Sequence, residues 1–265
     1  MMGGGKCWIL GTIPKEIGLC LSGGAARGAY HLGVLKALGE LGIGVRAISG
    51  SSIGAAIGVG YACGNAPEAM LAFFKSRAFR KSIAWNFWGG SVWKIDATHP
   101  IFEGFFQGYT RLEDLPLPLY VSVCDLQKGE AVYAQRGDLR QLLEATCALA
   151  PFFPFRSITG RWYGDGGFVD NLPLHPLKQS DLPLVAVNLH PRVKHEGSGG
   201  LLRRALFLCW HANVHIQEKE ATWLITSPEL SRFSLFSFSS LDVLMEMGYV
   251  ACLETFDKLA SGNAV

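Results

Sequence analysis

The sequence predicts an α/β protein built on a mainly parallel sheet. Three observations carry this. Short apolar runs recur along the chain and stop at small or polar residues, as buried parallel strands do. Stretches with helical spacing of apolar residues separate them. The composition allows a large core, with 49% of the 265 residues apolar and 17% charged, against about 25% charged in a typical domain. A chain of this kind is not disordered, and its glycines follow no three-residue period, which excludes collagen. A net charge of +2 gives no general attraction to nucleic acid, and no nucleic-acid partner is expected. Residues 1–265 are read as one domain.

Ile17–Ser22 is a short apolar run that stops at Gly23-Gly24 and reads as a buried strand. Ala29–Leu41 places Leu32, Leu35, Leu38 and Leu41 on one helical stripe, with Gly42 to end it. Val45–Ser49 is a second strand. Ser52–Cys63 is made of small and apolar residues and reads as a helix buried on most sides, ending at Gly64. Pro67–Arg80 reads as one exposed amphipathic helix. Leu117–Asp125 and Glu130–Gln135 read as strands joined through Gln127-Lys128-Gly129. Leu139–Leu149 is helical and stops before Pro151. Leu182–Leu189 is a strand, Leu201–Glu220 a helix, Thr222–Thr226 a short strand and Leu241–Ala260 a final amphipathic helix. No internal repeat is seen, and only 196–200 has the composition of a linker.

The longest charge-free run, Ala47–Pro67, has the 21 residues a membrane span needs, but five are glycine and three serine. It reads as strand, tight turn and buried helix. Near the N-terminus, only Cys7–Pro14 separates Lys6 from Lys15, and a proline ends that run, so a secretory leader is not expected there. The cysteines at 7, 20, 63, 124, 147, 209 and 252 form no C-x-x-C pair, so neither a zinc site nor a disulfide framework is expected. They read as small buried side chains in a reducing compartment, and a cytoplasmic location is expected.

Two glycine turns stand at strand-to-helix corners. Ser22-Gly23-Gly24-Ala25-Ala26-Arg27-Gly28 follows one strand and opens a helix. Such a loop aims backbone N–H groups and the positive helix end at one point, which suits a phosphate or a transient oxyanion. It can also serve only to let helix and strand pack closely. The dinucleotide fingerprint fails here: Ala25 stands at the middle glycine, and no acid occurs between Glu40 and Glu68 to meet a ribose. Gly50-Ser51-Ser52-Ile53-Gly54 fits G-x-S-x-G at the second corner. The glycines relieve crowding between strand and helix, and Ser52 is lifted from the sheet edge at a positive helix end, a geometry that suits a nucleophile. Ser51 is read as structural.

Turns after consecutive parallel strands emerge at the same sheet edge, where α/β ligands bind. A nucleophile and a cluster of N–H donors together suit acyl transfer, where each donor to the oxyanion is typically worth about 3–4 kcal/mol. Two bases for Ser52 are open. Asp165 followed by His190, His211 or His215 follows the serine–acid–histidine order of α/β-hydrolases, although Ser52 comes after only two strands. The other is Asp165 itself, in Tyr163-Gly164-Asp165-Gly166-Gly167, where a carboxylate on a glycine turn can take the serine proton without a histidine.

These motifs resemble the patatin-like phospholipase family. Ile17–Leu38 is similar to its opening strand, glycine loop and helix, GSSIG to its elbow, and Ala145–Leu174 to its third block with D-G-G and N-x-P. The similarity runs from about Ile17 to His190 and implies a three-layer α/β/α fold and a serine–aspartate dyad. By that resemblance Ser52 is the nucleophile and Asp165 the base. Gly23, Gly24, Ala25, Arg27 and Gly28 correspond to the oxyanion loop, Gly50 and Gly54 to the elbow, and Gly166 and Gly167 to the base turn. Ala25 departs from the family's glycine. If its φ is positive, the alanine costs about 1 kcal/mol or more. The resemblance implies hydrolysis of phospholipid or lysophospholipid esters, of phospholipase A or lysophospholipase type, with no cofactor and no metal. A carboxylesterase on small or single-chain esters and an inactive lipid-binding homologue are the alternatives.

Residues 85–109 hold eight aromatics, Trp85, Phe87, Trp88, Trp93, Phe102, Phe105, Phe106 and Tyr109, where the overall 11% predicts about three. Lys75, Arg77, Arg80 and Lys81 precede them. Basic and aromatic residues together suit a segment on an anionic lipid surface, so an insertion at about 82–112 is read as a lid or membrane-facing patch. The Pro151–Phe155 loop is read as lining an acyl cleft. The sequence gives no oligomeric state.

Overall fold

The computed structural model describes residues 13–85, 91–194, 200–210, 212 and 214–261. In chain order the elements are β1 (Glu16–Leu21), α1 (Ala29–Glu40), β2 (Gly44–Ser51), α2 (Ile53–Ala62), α3 (Pro67–Lys75), α4 (Arg77–Ser82), β3 (Ile83–Trp85), β4 (Trp93–Ile95) and α5 (Ile101–Phe106). There follow β5 (Leu119–Asp125), β6 (Glu130–Ala134), α6 (Leu139–Thr146), β7 (Arg156–Ile158), β8 (Arg161–Asp165) and β9 (Leu184–Val187). The chain continues through α7 (Leu201–Trp210), α8 (Val214–Glu220), β10 (Trp223–Ile225) and α9 (Leu241–Ala260).

The main sheet has the order β10-β9-β1-β2-β5-β8-β7, with β6 also on β5. The pairs from β10 to β5 are parallel, and those made by β6, β7 and β8 are antiparallel. Strand alternation splits the core between two faces. Ile17, Leu19 and Leu21 of β1 enter the larger core with α1, α2, α6 and α9, while Cys20 enters a smaller one with Leu172, Leu174, Leu177 and Val214 of α8. Helices therefore cover both faces, and the three-layer α/β/α architecture is as expected. Helices α1 and α9 cross closely enough that a Cβ on Gly33 would lie 1.8 Å from the Met245 carbonyl oxygen, and one on Gly248 2.0 Å from that of Tyr30.

The sheet register brings two strand ends together. Along Val121–Asp125, β6 occupies one edge of β5. The other edge is shared: β2 pairs in parallel with Leu119–Ser122, ending at Ser51↔Ser122, and β8 pairs antiparallel with the rest, ending at Val123↔Asp165. The C-terminal ends of β2 and β8 thus meet head to head on β5. Ser52 and Asp165 stand at that junction.

The run 47–67 is the end of β2, the turn and α2, and among the described residues no helix is long and apolar enough to cross a membrane. Three readings are corrected. The helix expected over Pro67–Arg80 is broken at Ser76, whose backbone is extended and whose hydroxyl accepts the Phe79 N–H to start α4. The helix expected over Leu201–Glu220 is two helices, α7 and α8. The aromatic stretch is not one exposed patch. Phe102, Phe105 and Phe106 of α5 are buried, with Phe102 edge-on and Phe105 tilted against Phe73 of α3. The buried face of α5 therefore belongs to the core. Phe87 and Trp88 lie outside the described residues, as do Cys7 and His211.

Candidate active site

Ser52 sits between β2 and α2 with φ 52° and ψ −124°, a conformation non-glycine residues rarely adopt. The glycines around it are required by contact. A Cβ on Gly50 would lie 2.5 Å from the Ala55 nitrogen, and one on Gly54 2.3 Å from the Leu21 carbonyl oxygen. The Ser52 N–H donates to Thr146 Oγ1 at 2.9 Å, and the Thr146 hydroxyl donates to the Ser122 carbonyl at 2.6 Å. Thr146 is fully buried.

Asp165 ends β8 and is 1% exposed. Its Oδ1 accepts the Gly167 N–H at 2.8 Å, and its own N–H donates to the Ala148 carbonyl at 3.1 Å. A Cβ on Gly166 would lie 2.4 Å from the Ser122 carbonyl oxygen, so the turn needs glycine there. Burial pushes the carboxyl up to about 7, against partial lowering by the Ser52 hydroxyl and the Gly167 N–H. Oδ2 has no hydrogen-bond partner among the described residues, and Ser52 is its neighbour on the side that favours the carboxylate. The Cys147 thiol also neighbours Ser52, and burial raises it far above its ordinary range. The segment 146–148 therefore touches both residues: Thr146 holds the Ser52 backbone and Ala148 that of Asp165.

In the 23–28 loop the N–H groups have different partners. Gly23 donates to the Asn171 carbonyl at 3.2 Å, and Ala26 to that of Leu235 at 2.9 Å. Gly24 and Ala25 donate to no backbone acceptor among the described residues. Ala25 has φ 49°, the left-handed conformation in which an alanine costs about 1–2 kcal/mol. Gly28 lies against Ile53, where a Cβ would be 2.4 Å from Cγ1. Arg27 does not face the serine. Its Nε and Nη2 donate to the Phe233 carbonyl at 2.9 and 2.6 Å, and its Nη1 to that of Leu189 at 3.0 Å. It ties the loop to two distant segments and contacts His190 Nδ1 at 3.4 Å.

Above Ser52 and Asp165 lies a cleft of about 320 Å³. Gly24, Ala25, Asn171 and His190 complete its floor, and its walls are apolar side chains from α3, α4, β4 and residues 235–241. Phe153 lines it, as expected of the Pro151–Phe155 loop, and Phe152 stacks on Trp93 and meets Phe236 at the rim. Among the described residues, no group of three or more His, Cys, Asp or Glu could hold a metal ion.

A family model described as Patatin-like phospholipase matches residues 19–178. The chain belongs to the patatin-like phospholipase family. Lysophospholipase NTE1 of Cryptococcus neoformans var. neoformans is 30% identical over 183 residues, 63% of this chain and 11% of that protein. Lysophospholipase nte1 of Aspergillus fumigatus is 33% identical over 177 residues, 62% of this chain and 11% of that protein. An NTE family protein of Mycobacterium tuberculosis is 31% identical over 185 residues, 69% of this chain and 51% of that protein. The chain thus spans about a tenth of the length of the fungal relatives and half of the mycobacterial one. VipD from Legionella pneumophila superposes with a TM-score of 0.53 over 92% of this chain and 67% of that chain, at 15% identity, a likeness of fold alone.

Within this patatin-like site, sequence reasoning missed Thr146, Cys147 and Asn171. The signal for Thr146 was present, a hydroxyl at the end of a helix within the third block, but its partner lies 94 residues away. Thr146→Val keeps the shape and removes both hydrogen bonds. It is expected to lower kcat about 10- to 100-fold with KM unchanged, the size of effect that follows about 1 Å of misplacement. Thr146→Ser is expected to stay within a few fold of wild type. Steady-state kinetics on a soluble ester and the rate of fluorophosphonate labelling check both.

Proposed function

We propose that the protein is a serine-dependent lipid acyl hydrolase that cleaves phospholipid-type esters, with preference for substrates bearing one acyl chain. The observation that carries this reading is the head-to-head meeting of β2 and β8, which sets Ser52 beside a buried Asp165 at the bottom of an apolar cleft.

In the proposed reaction, the Ser52 hydroxyl attacks the ester carbonyl and Asp165 takes its proton. The Gly24 and Ala25 N–H groups receive the oxyanion, while Gly23, Arg27 and Gly28 hold the loop in shape. Collapse of the tetrahedral intermediate breaks the ester bond, and Asp165 returns the proton to the departing alcohol. Water then attacks the acyl-enzyme, again losing its proton to Asp165, and the fatty acid leaves as Ser52 recovers its hydrogen. No metal or cofactor takes part in these steps.

The single-chain preference rests on volume. About 320 Å³ is at the lower end of the roughly 300–1,000 Å³ usual for small-molecule sites, which suits one chain better than two. The fungal relatives, named lysophospholipases, point the same way. The test is a series of monoacyl esters of increasing chain length, with lysophosphatidylcholine compared with its diacyl counterpart. Each methylene that enters the cleft is expected to raise kcat/KM about fourfold until the cleft is filled, from about 0.8 kcal/mol per buried methylene. The lysophospholipid is expected to be the better substrate. A profile that peaks at acetyl or butyryl esters points to a small-ester carboxylesterase instead, and no turnover of any ester points to an inactive homologue.

A further inference from the structure

We propose that the mouth of the cleft docks onto an anionic lipid surface, through the basic face of α4 and the aromatic turn at 236–238. The break at Ser76 sets this up. It ends α3 and starts α4, whose Phe79 is buried and forms part of the cleft wall. Arg77, Arg80 and Lys81 are spaced i, i+3, i+4, so they share the opposite, exposed face. None of the three is in an ion pair with a carboxylate among the described residues, whereas Lys75 is held by Asp242 at 2.6 Å. That Lys75–Asp242 pair ties the end of α3 to the start of α9. It therefore brings the turn before α9 to the same rim.

On that turn Phe236 and Phe238 line the cleft and yet are 37% and 40% exposed. The apolar interior thus continues outward through two rings, while α4, on the cleft wall, carries three exposed cations with no carboxylate partner among the described residues, Arg80 also donating to the Lys75 carbonyl at 3.3 Å. An acyl chain leaving a bilayer for the cleft crosses such a rim without exposing itself to water. The cations suit the negative surface of a bilayer carrying anionic headgroups, and the rings suit its boundary layer. The proposed surface keeps the basic cluster that precedes the aromatic stretch, leaves out the buried Phe102, Phe105 and Phe106, and adds the turn at 236–238. The proposal takes from the hydrolase reading only the choice of a lipid as partner.

The test uses the full chain carrying Ser52→Ala, so that binding is measured without hydrolysis. Cosedimentation compares vesicles of phosphatidylcholine alone with vesicles in which about one third is phosphatidylglycerol. Stronger partitioning onto the phosphatidylglycerol vesicles is expected, weakening as salt is raised. Adding Arg77→Ala, Arg80→Ala and Lys81→Ala is expected to lower that partitioning on the order of 100-fold. Adding Phe238→Ser instead is expected to lower it about tenfold on both vesicles. An unchanged melting temperature shows that each variant is folded. Equal partitioning of the parent and either folded variant, indifference to phosphatidylglycerol, or no partitioning at all overturns the proposal. The hydrolase reading is judged separately, by turnover of the monoacyl series.

Discussion

Ser52→Ala is expected to lower hydrolysis of every ester substrate by about 10⁴- to 10⁶-fold and to abolish labelling by a fluorophosphonate. The size follows from what the residue does in the proposed reaction. In that reaction the acyl-enzyme forms on Ser52 Oγ, and the Gly24 and Ala25 donors stabilise an oxyanion only if one forms. The comparison that makes the result specific is Ser51→Ala. Ser51 is fully buried, and its hydroxyl has no hydrogen-bond partner among the described residues. Removing it leaves no acceptor or donor stranded, so activity and labelling are expected to stay near wild type. Ser52→Ala must keep φ near 52°, which costs alanine no less than serine. The melting temperature of the variant is therefore expected to move by no more than a few degrees. Full labelling of Ser52→Ala would place the nucleophile elsewhere.

The sequence exposed those parts of the site whose geometry is local. The glycines at 50 and 54 announce the elbow because their contacts are with neighbours a few residues away or with the adjacent strand. The apolar runs give β1, β2, β5 and β9, and the leucine stripe gives α1, because periodicity within one element reports burial of one face. What could not be read is set by pairing at long range. That β8 runs antiparallel and takes over the edge of β5 where β2 stops is invisible in either strand. Yet this detail brings Asp165 to Ser52. The β7–β8 hairpin is also hidden. Its turn has positive φ at Thr159 and Gly160, and threonine is not a residue that advertises such a turn. Arg27 shows the converse case. It belongs to the glycine-loop motif, but its guanidinium holds Leu189 and Phe233, more than 160 residues away in sequence. The aromatic excess at 85–109 signalled apolar surface but not which side of it faces in. Only the packing of α5 against α3 decides that Phe102 and Phe105 are core.

Asp165→Asn is expected to lower kcat by about 10³- to 10⁴-fold while making the folded protein more stable at neutral and alkaline pH. Both effects come from the same burial. An aspartate with the ordinary value of 3.8 is held at about 7 here, so the wild type gains its base only as pH rises through 7. The logarithm of kcat/KM is expected to climb with unit slope below that point and level off above it. Stability moves the other way. Below about pH 4 the carboxyl is protonated whether the chain is folded or not. Between about pH 4 and 7 the unfolded chain gives up the proton and the folded one keeps it, so stability falls as pH rises. Above 7 the full penalty remains, at most about 4 kcal/mol from the separation of the two values. Asparagine carries no charge to desolvate, and its carbonyl can still accept the Gly167 N–H. The melting temperature of Asp165→Asn should therefore exceed that of wild type by several degrees at pH 8 and match it near pH 4. Calorimetry at the two pH values and a pH–rate profile read these effects independently. Wild-type rates in Asp165→Asn, together with loss in a His190→Gln variant, would assign the proton to the imidazole. A lower melting temperature at pH 8 would mean that the charged carboxylate is held by partners stronger than Gly167 and Ser52.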